Sequence, residues 1–213
     1  RETKRVFPYQ PGKSLLIMNT FCMQTPQANL TQRVGYFGRE NGVYFEANGT
    51  TYNMVIRSSS SGTLIENRIP QSAWNVDSLN GNGTSNVSLS VDTTNIFFTD
   101  LEWLGVGSVR TGFVINGQFV VAHIFNHANQ AGNTNTYMGT ATLPIRYEIF
   151  NSGTTSSVST MRQICSTVMS EGGYNSFNAT ESAGTGINVK RLTTANVYYP
   201  MASIRLNSTR LDS

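Results

Sequence analysis

Charge is scarce in this sequence. Only 13% of its 213 residues are Asp, Glu, Lys or Arg, against a usual share of about 25%. The formal net charge is +3, and the densest basic stretch is the terminal Arg1–Arg5, which reads as a solvated end. A nucleic-acid surface needs a basic stripe with interleaved aromatics, so nucleic acid is not an expected partner. Cysteine is nearly missing too. Cys22 and Cys165 sit far apart in the apolar runs FCM and ICSTVM, which argues for buried free thiols and against a disulfide framework. No apolar run of about 18 residues and no signal peptide occur, so no membrane partner is expected. The two histidines, His123 and His127, would stand ~13 Å apart along a strand, too far to share one zinc. No P-loop, nucleophile elbow or dinucleotide fingerprint is present. Neither a metal, a cofactor nor a catalytic set is therefore expected.

Helical periodicity is the remaining absence. Short apolar runs alternate with Gly, Asn and Ser punctuation, the pattern of an all-β chain. Eleven Phe, nine Tyr and two Trp are spread along the sequence, enough to build a core rather than a disordered tract. The length lies within the ~200–250 residues that sandwiches use as one domain. The expected fold is an antiparallel two-sheet β-sandwich, jelly-roll or lectin-like, spanning residues 1–213 after a short extended arm over about residues 1–12. The chain opens on Arg rather than Met, so it is expected to be a processed product or part of something longer. Strands are predicted at 14–23, 33–38, 43–47, 51–57, 63–69, 88–91, 96–104, 108–116, 118–127, 142–150, 160–170, 187–191 and 202–206. Asn41-Gly42, Asn48-Gly49 and Asn116-Gly117 each supply the positive φ that a type I′ hairpin turn requires.

A three-stranded meander over residues 96–127 can be registered. A two-residue loop at Asn116-Gly117 sets Ile115 opposite Gln118 and Phe113 opposite Val120. A three-residue loop at Gly105–Gly107 sets Trp103 opposite Val109. One face then carries Phe97, Leu101, Trp103, Val109, Phe113, Ile115, Val120 and Ile124 and is core. The other mixes Phe98, Val114, Phe119, Val121 and Phe125 with Asp100, Glu102, Arg110 and His123. A solvent face should be polar. Those five apolar residues are thus covered by another layer of the chain or form a candidate interface with a partner subunit.

Polar, Gly-rich excursions at 73–86, 129–135 and 172–186 suit contacts with neighbours or ligands. Trp74, Tyr137 and Tyr174 lie in or beside them and are the candidate ligand residues. Asp100 and Glu102 form the one carboxylate pair a glycan hydrolase could use. Opposite charges across a ladder are equally a stabilising sheet pair, which is the preferred reading.

The stretch DLEWLGVGSVRTGFVINGQFVVAHIFNHAN (Asp100–Asn129) resembles a segment of virion structural proteins from tailed phages, notably those of marine cyanobacteria, and from some large algal DNA viruses. The pieces RVFPYQPGKS, RVGYFGRENGVYFE, WNVDSLNGNGTS, LPIRYEIFN and MRQICSTVMSEGGY agree, so the resemblance runs through nearly the whole chain. It implies a virion component of sandwich fold and brings no catalytic residues with it. Two roles follow as expectations. The first is a structural protein of the capsid or tail, contacting other virion proteins and copies of itself. The second is a carbohydrate- or receptor-binding module of a viral fibre that meets a host surface glycan.

Overall fold

The structure, a computed structural model, describes residues 1–173. They form ten strands: β1 (Ser14–Cys22), β2 (Leu30–Phe37), β3 (Gly42–Asn48), β4 (Thr51–Ser58), β5 (Ile65–Pro70), β6 (Asn95–Leu101), β7 (Val109–Ile115), β8 (Gln118–Phe125), β9 (Ile145–Asn151) and β10 (Arg162–Glu171). A single turn of 3₁₀ helix, Gln71–Ala73, follows β5. All pairings are antiparallel. The first sheet runs β10-β1-β6-β7-β8 and the second β5-β4-β3-β2-β9. The expected two-sheet sandwich is therefore present. Expected strands at 187–191 and 202–206 lie outside the described residues, and the stretch 88–91 is not a strand but carries one bridge, Asn80 to Ser88.

The alternation that encodes these strands is plainest in β1, where Leu15, Ile17, Asn19 and Phe21 are buried and the residues between them are half-buried. One face of the strand thus enters the core and the other stays outside. Between the sheets lies a cluster of aromatic rings centred on Phe45 of β3. Its ring centroid stands 5.2 Å from Phe113, 6.0 Å from Phe97, 6.2 Å from Phe21, 5.7 Å from Tyr52 and 6.5 Å from Trp74. The Phe113 contact is edge-to-face, the arrangement the ring quadrupoles prefer.

The meander registers largely as expected. Ile115 faces Gln118 and Phe113 faces Val120, with Asn116 and Gly117 both at positive φ. The turn before β7 is longer than expected. Leu101, not Trp103, faces Val109, and Trp103 sits in the connecting loop, still packed against the core. A shift of two residues leaves every β6 side chain on its face, which is why the hydrophobic pattern could not reveal it. A bulge in β8 has the opposite effect. Thr111 pairs with His123 but Gly112 pairs with Val121, so Ala122 is an extra residue. Past the bulge His123 and Phe125 turn inward and Ile124 turns outward.

The other two Asn-Gly pairs do not form type I′ turns. Asn48 pairs with Thr51, leaving Gly49-Thr50 as the loop. Gly42 pairs with Phe37 at the end of a longer turn. There a Cβ would come within 2.1 Å of the Phe37 Cβ, so only glycine fits. The cysteines are free, but Cys165 is exposed on β10 and Cys22 is half-buried. Both face outward from the first sheet, because Cys165 pairs with Thr20 and Cys22 itself alternates with the core residues of β1. The N-terminal segment is tied down at two points. It runs beside β9 with bridges Glu2–Arg146 and Phe7–Leu143.

The outward face of the second sheet is a ladder of ion pairs. Glu46, fully buried, accepts from Arg33 at 2.7 Å and from Arg68 at 2.9 Å. Glu66 accepts from Arg57 and Arg68, and the Tyr44 hydroxyl donates to it at 2.6 Å. The guanidinium groups of Arg33 and Arg57 lie over the Tyr44 ring. Burial alone would push the Glu66 carboxyl up, but the hydrogen bonds from Tyr44, Arg57 and Arg68 hold it down at about 2.

Two predictions follow from this packing. Phe45→Ala removes the ring on which both sheets close and should cost about 3–5 kcal/mol in urea unfolding. The carboxylate of Glu66 contributes stability that is complete above its ordinary value of 4.5 and is lost as pH falls through about 2. Unfolding free energy should fall over that window, and in Glu66→Gln the fall should be shallower.

Candidate functional site

Two regions hold the residues that the sequence singled out. The first is the outward face of the first sheet. Phe98 is on it but is only 3% exposed. Its ring lies over Gly112, where a Cβ would meet it at 2.9 Å, and against the edge of Phe119 at 5.0 Å. Phe119 is 52% exposed, and Val114 and Val121 are half-buried beside it. Phe125 does not belong to this face. The β8 bulge turns it into the core, 5% exposed. Asp100 and Glu102 both reach Arg110: Asp100 directly across the ladder, Glu102 at 3.9 Å from the loop. Burial raises the Asp100 carboxyl and Arg110 opposes that rise. His123, expected in the same row, faces inward instead and accepts from the Asn75 N–H at 3.3 Å.

The second is a cleft between the loops around Tyr137 and the turn from β4 to β5. Of the three loop residues that the sequence singled out, Trp74 is not part of it and is not available to a ligand. It is 6% exposed, donates its Nε1–H to the Ile69 carbonyl at 3.1 Å and packs on Phe45. The same bulk that suits an aromatic platform here closes the core. Tyr174 lies outside the described residues. Tyr137 does line an open cleft of about 310 Å³, at the lower end of the ~300–1,000 Å³ typical of ligand sites.

The loop after β8 shapes one wall of this cleft. Asn129 and Gly132 adopt positive φ, and the Asn133 side chain donates back to the His127 carbonyl at 3.2 Å. His127 and Tyr137 are thereby stacked, with ring centroids 3.9 Å apart and planes 10° from parallel. The opposite wall is the turn between β4 and β5, tied across by the Ser60 hydroxyl donating to the Thr136 carbonyl at 2.8 Å. Ser58, Asn67 and Asn135 also face the space, and among the described residues its lining contains no Asp, Glu, Lys or Arg. Burial lowers the His127 imidazole, against a smaller opposing effect of the Gly107 carbonyl. Burial likewise pushes the Tyr137 hydroxyl far up, with Tyr9 and Glu102 adding to the rise. Near neutral pH both rings are uncharged. The cleft is a set of neutral donors and acceptors beside an aromatic wall.

Sequence reasoning found Tyr137 but missed this partnership. In the sequence His127 bears only on a metal site, and the turn that forms the opposite wall carries no motif. The two walls are about seventy residues apart in sequence, and only the Asn-rich stretch before Tyr137 hinted at either.

No family model matches the chain, and no curated protein does. Among solved structures it is similar to the botulinum neurotoxin serotype C1 binding domain, with a TM-score of 0.36 and 10% identity over 76% of this chain and 32% of that one. The serotype D/C binding domain of strain VPI 5993 gives 0.35 and 9%, over 75% and 32%. Ancestral congerin Con-anc gives 0.33 and 10%, over 76% and 95%. The chain thus spans about a third of the toxin binding domains it matches. Likenesses of this size leave the cleft to be read from its own residues.

Both imidazoles are held below their ordinary value of 6.5 by burial. The unfolded chain therefore takes up protons first as pH falls. Stability attributable to them is complete above 6.5 and declines as pH drops through their folded values. Thermal unfolding between pH 7 and 5 should show this decline, and the His123→Gln, His127→Gln double variant should flatten it.

Proposed function

We propose that the chain is a carbohydrate-binding module, carried on a virus particle for attachment to a surface glycan, and that its ligand sits in the loop-end cleft. The observation that carries this reading is the cleft's composition. Neutral hydroxyls and amides line it, a stacked aromatic pair forms one wall, and none of the described residues lining it is charged. A neutral sugar offers the matching chemistry: hydroxyls that both donate and accept, and apolar C–H faces that pack on rings. An anionic ligand would find no cation among the described residues there. The placement on a virus particle rests on the resemblance of the sequence alone.

A second reading, a structural subunit of the particle, is favoured by the outward face of the first sheet. Phe119 is half-exposed over Phe98 there, with Val114 and Val121 alongside, and an apolar patch of that kind suits a subunit contact. The two roles use different surfaces and are compatible.

Screening the wild-type chain on a glycan array tests the first reading. It should retain neutral oligosaccharides. Asn67→Ala and Asn133→Ala should each weaken a retained sugar about tenfold or more, the loss of roughly one buried polar contact or more, without changing the circular dichroism. Silence across the array, or binding that both variants preserve, would overturn it.

A further inference from the structure

Two open sheets have four edges, and an unpaired edge strand is a template for another chain. Three of the four are blunted. The N-terminal arm covers β9: Thr3 and Phe7 donate to the Ile145 and Leu143 carbonyls at 3.0 and 2.9 Å. At β8 the Asn75 side chain imitates a neighbouring strand. It donates to the Ile124 carbonyl and accepts from the Ile124 N–H, both at 2.9 Å. Val76 and Asp77 donate to the Ala122 carbonyl beside it. Strand β5 is six residues long, ends in Pro70 and carries Glu66 and Arg68.

The fourth edge, β10, has none of these devices among the described residues. It is the longest strand, ten residues, and has no proline or glycine. Between Gln163 and Ser170 it has no charge. Ile164 is 55% exposed and Met169 is 40% exposed.

We propose that β10 is a dimerisation strand that pairs antiparallel with β10 of a second copy, joining two five-stranded sheets into one of ten. The argument for a second copy is the strand's self-complementarity. A two-fold axis normal to the sheet sets each residue opposite one on the same face. Arg162, Cys165, Thr167 and Met169 pair with Cys22, Thr20, Met18 and Leu16 of β1, so they point outward with those residues. With Thr167 on the axis, it meets its own copy, and Cys165 meets Met169 of the second copy. Ile164 is the extra residue of the bulge opposite Thr20 and Phe21. Passing that bulge brings Gln163 opposite Ser170 and Arg162 opposite Glu171. Both ends of the pairing then carry a cross-strand ion pair on the outward face. Shifting the strand by two residues in either direction separates Arg162 from Glu171 and takes Thr167 off the axis. Opposite charges facing across a ladder select this register.

Sedimentation equilibrium on the full chain tests the proposal. The wild type should show a concentration-dependent dimer. Thr167→Lys sets two ammonium groups face to face on the axis and should weaken the dimer tenfold or more. Arg162→Glu should weaken it too, and adding Glu171→Arg should restore it. With Cys22 and Cys165 replaced by Ser, Thr167→Cys should oxidise to a disulfide-linked dimer. A wild type that stays monomeric at every concentration, with no cross-link at Thr167→Cys, would overturn the proposal. So would a dimer that Thr167→Lys leaves unchanged.

Discussion

The ring of Phe45 is where the two sheets meet. It touches Phe21, Phe97 and Phe113 of the first sheet and Trp74 from the plug after β5. Burial of these rings supplies apolar area in a chain with little charge to spare. Their positions also fix the layout. Phe97 and Phe113 are cross-strand partners, so a ring seated against both holds β6 and β7 in register against β3. Trp74 ties the end of β5 to the same point. Segment 73–77, which caps the β8 edge, therefore depends on the core as much as on its own hydrogen bonds.

The two outward faces differ because their charges are used differently. On the second sheet, Glu46 and Glu66 are shared among Arg33, Arg57 and Arg68, and the guanidinium groups cover Tyr44 and Phe37. Removing both arginine partners of Glu46, Arg33 and Arg68, would strand a buried charge, a change that costs about 3–5 kcal/mol. That face is locked and offers no free polar group of its own among these residues. On the first sheet, among the described residues, only Asp100 and Arg110 pair across the ladder, and Phe119 is left half in water. The cleft belongs to neither face. It is built on loops held by a rigid frame, the usual place for binding residues.

Much of the fold was legible in the sequence, because period-two alternation and Asn116-Gly117 are local signals. The pairing of Phe113 with Val120 follows from the turn alone. What escaped was set by single residues with no pattern. The bulge at Ala122 reversed the faces of His123 and Phe125, removing Phe125 from the candidate interface and His123 from the row with Glu102. The longer loop before β7 moved the register by two residues and hid itself, since the faces were unchanged. Trp74 stands in a loop-like stretch of sequence that suits a ligand residue, and only the fold shows that its ring is buried. For the cleft, Tyr137 was in view, but its stacking partner and the opposite wall come together only in the folded chain. The residues that make β10 self-complementary are visible in the sequence. Their meaning depends on β10 being an edge, which no local signal shows.

On the reading proposed above, this sandwich binds its ligand in an aromatic-walled cleft that carries no charge among the described residues. Amide chemical-shift mapping during titration with a neutral oligosaccharide tests that most directly. A contiguous set of shifts is expected at Ser58, Ser60, Asn67, His127 and Asn133. Shifts confined to the strand faces around Asp100 and Phe119, with the cleft silent, would contradict it.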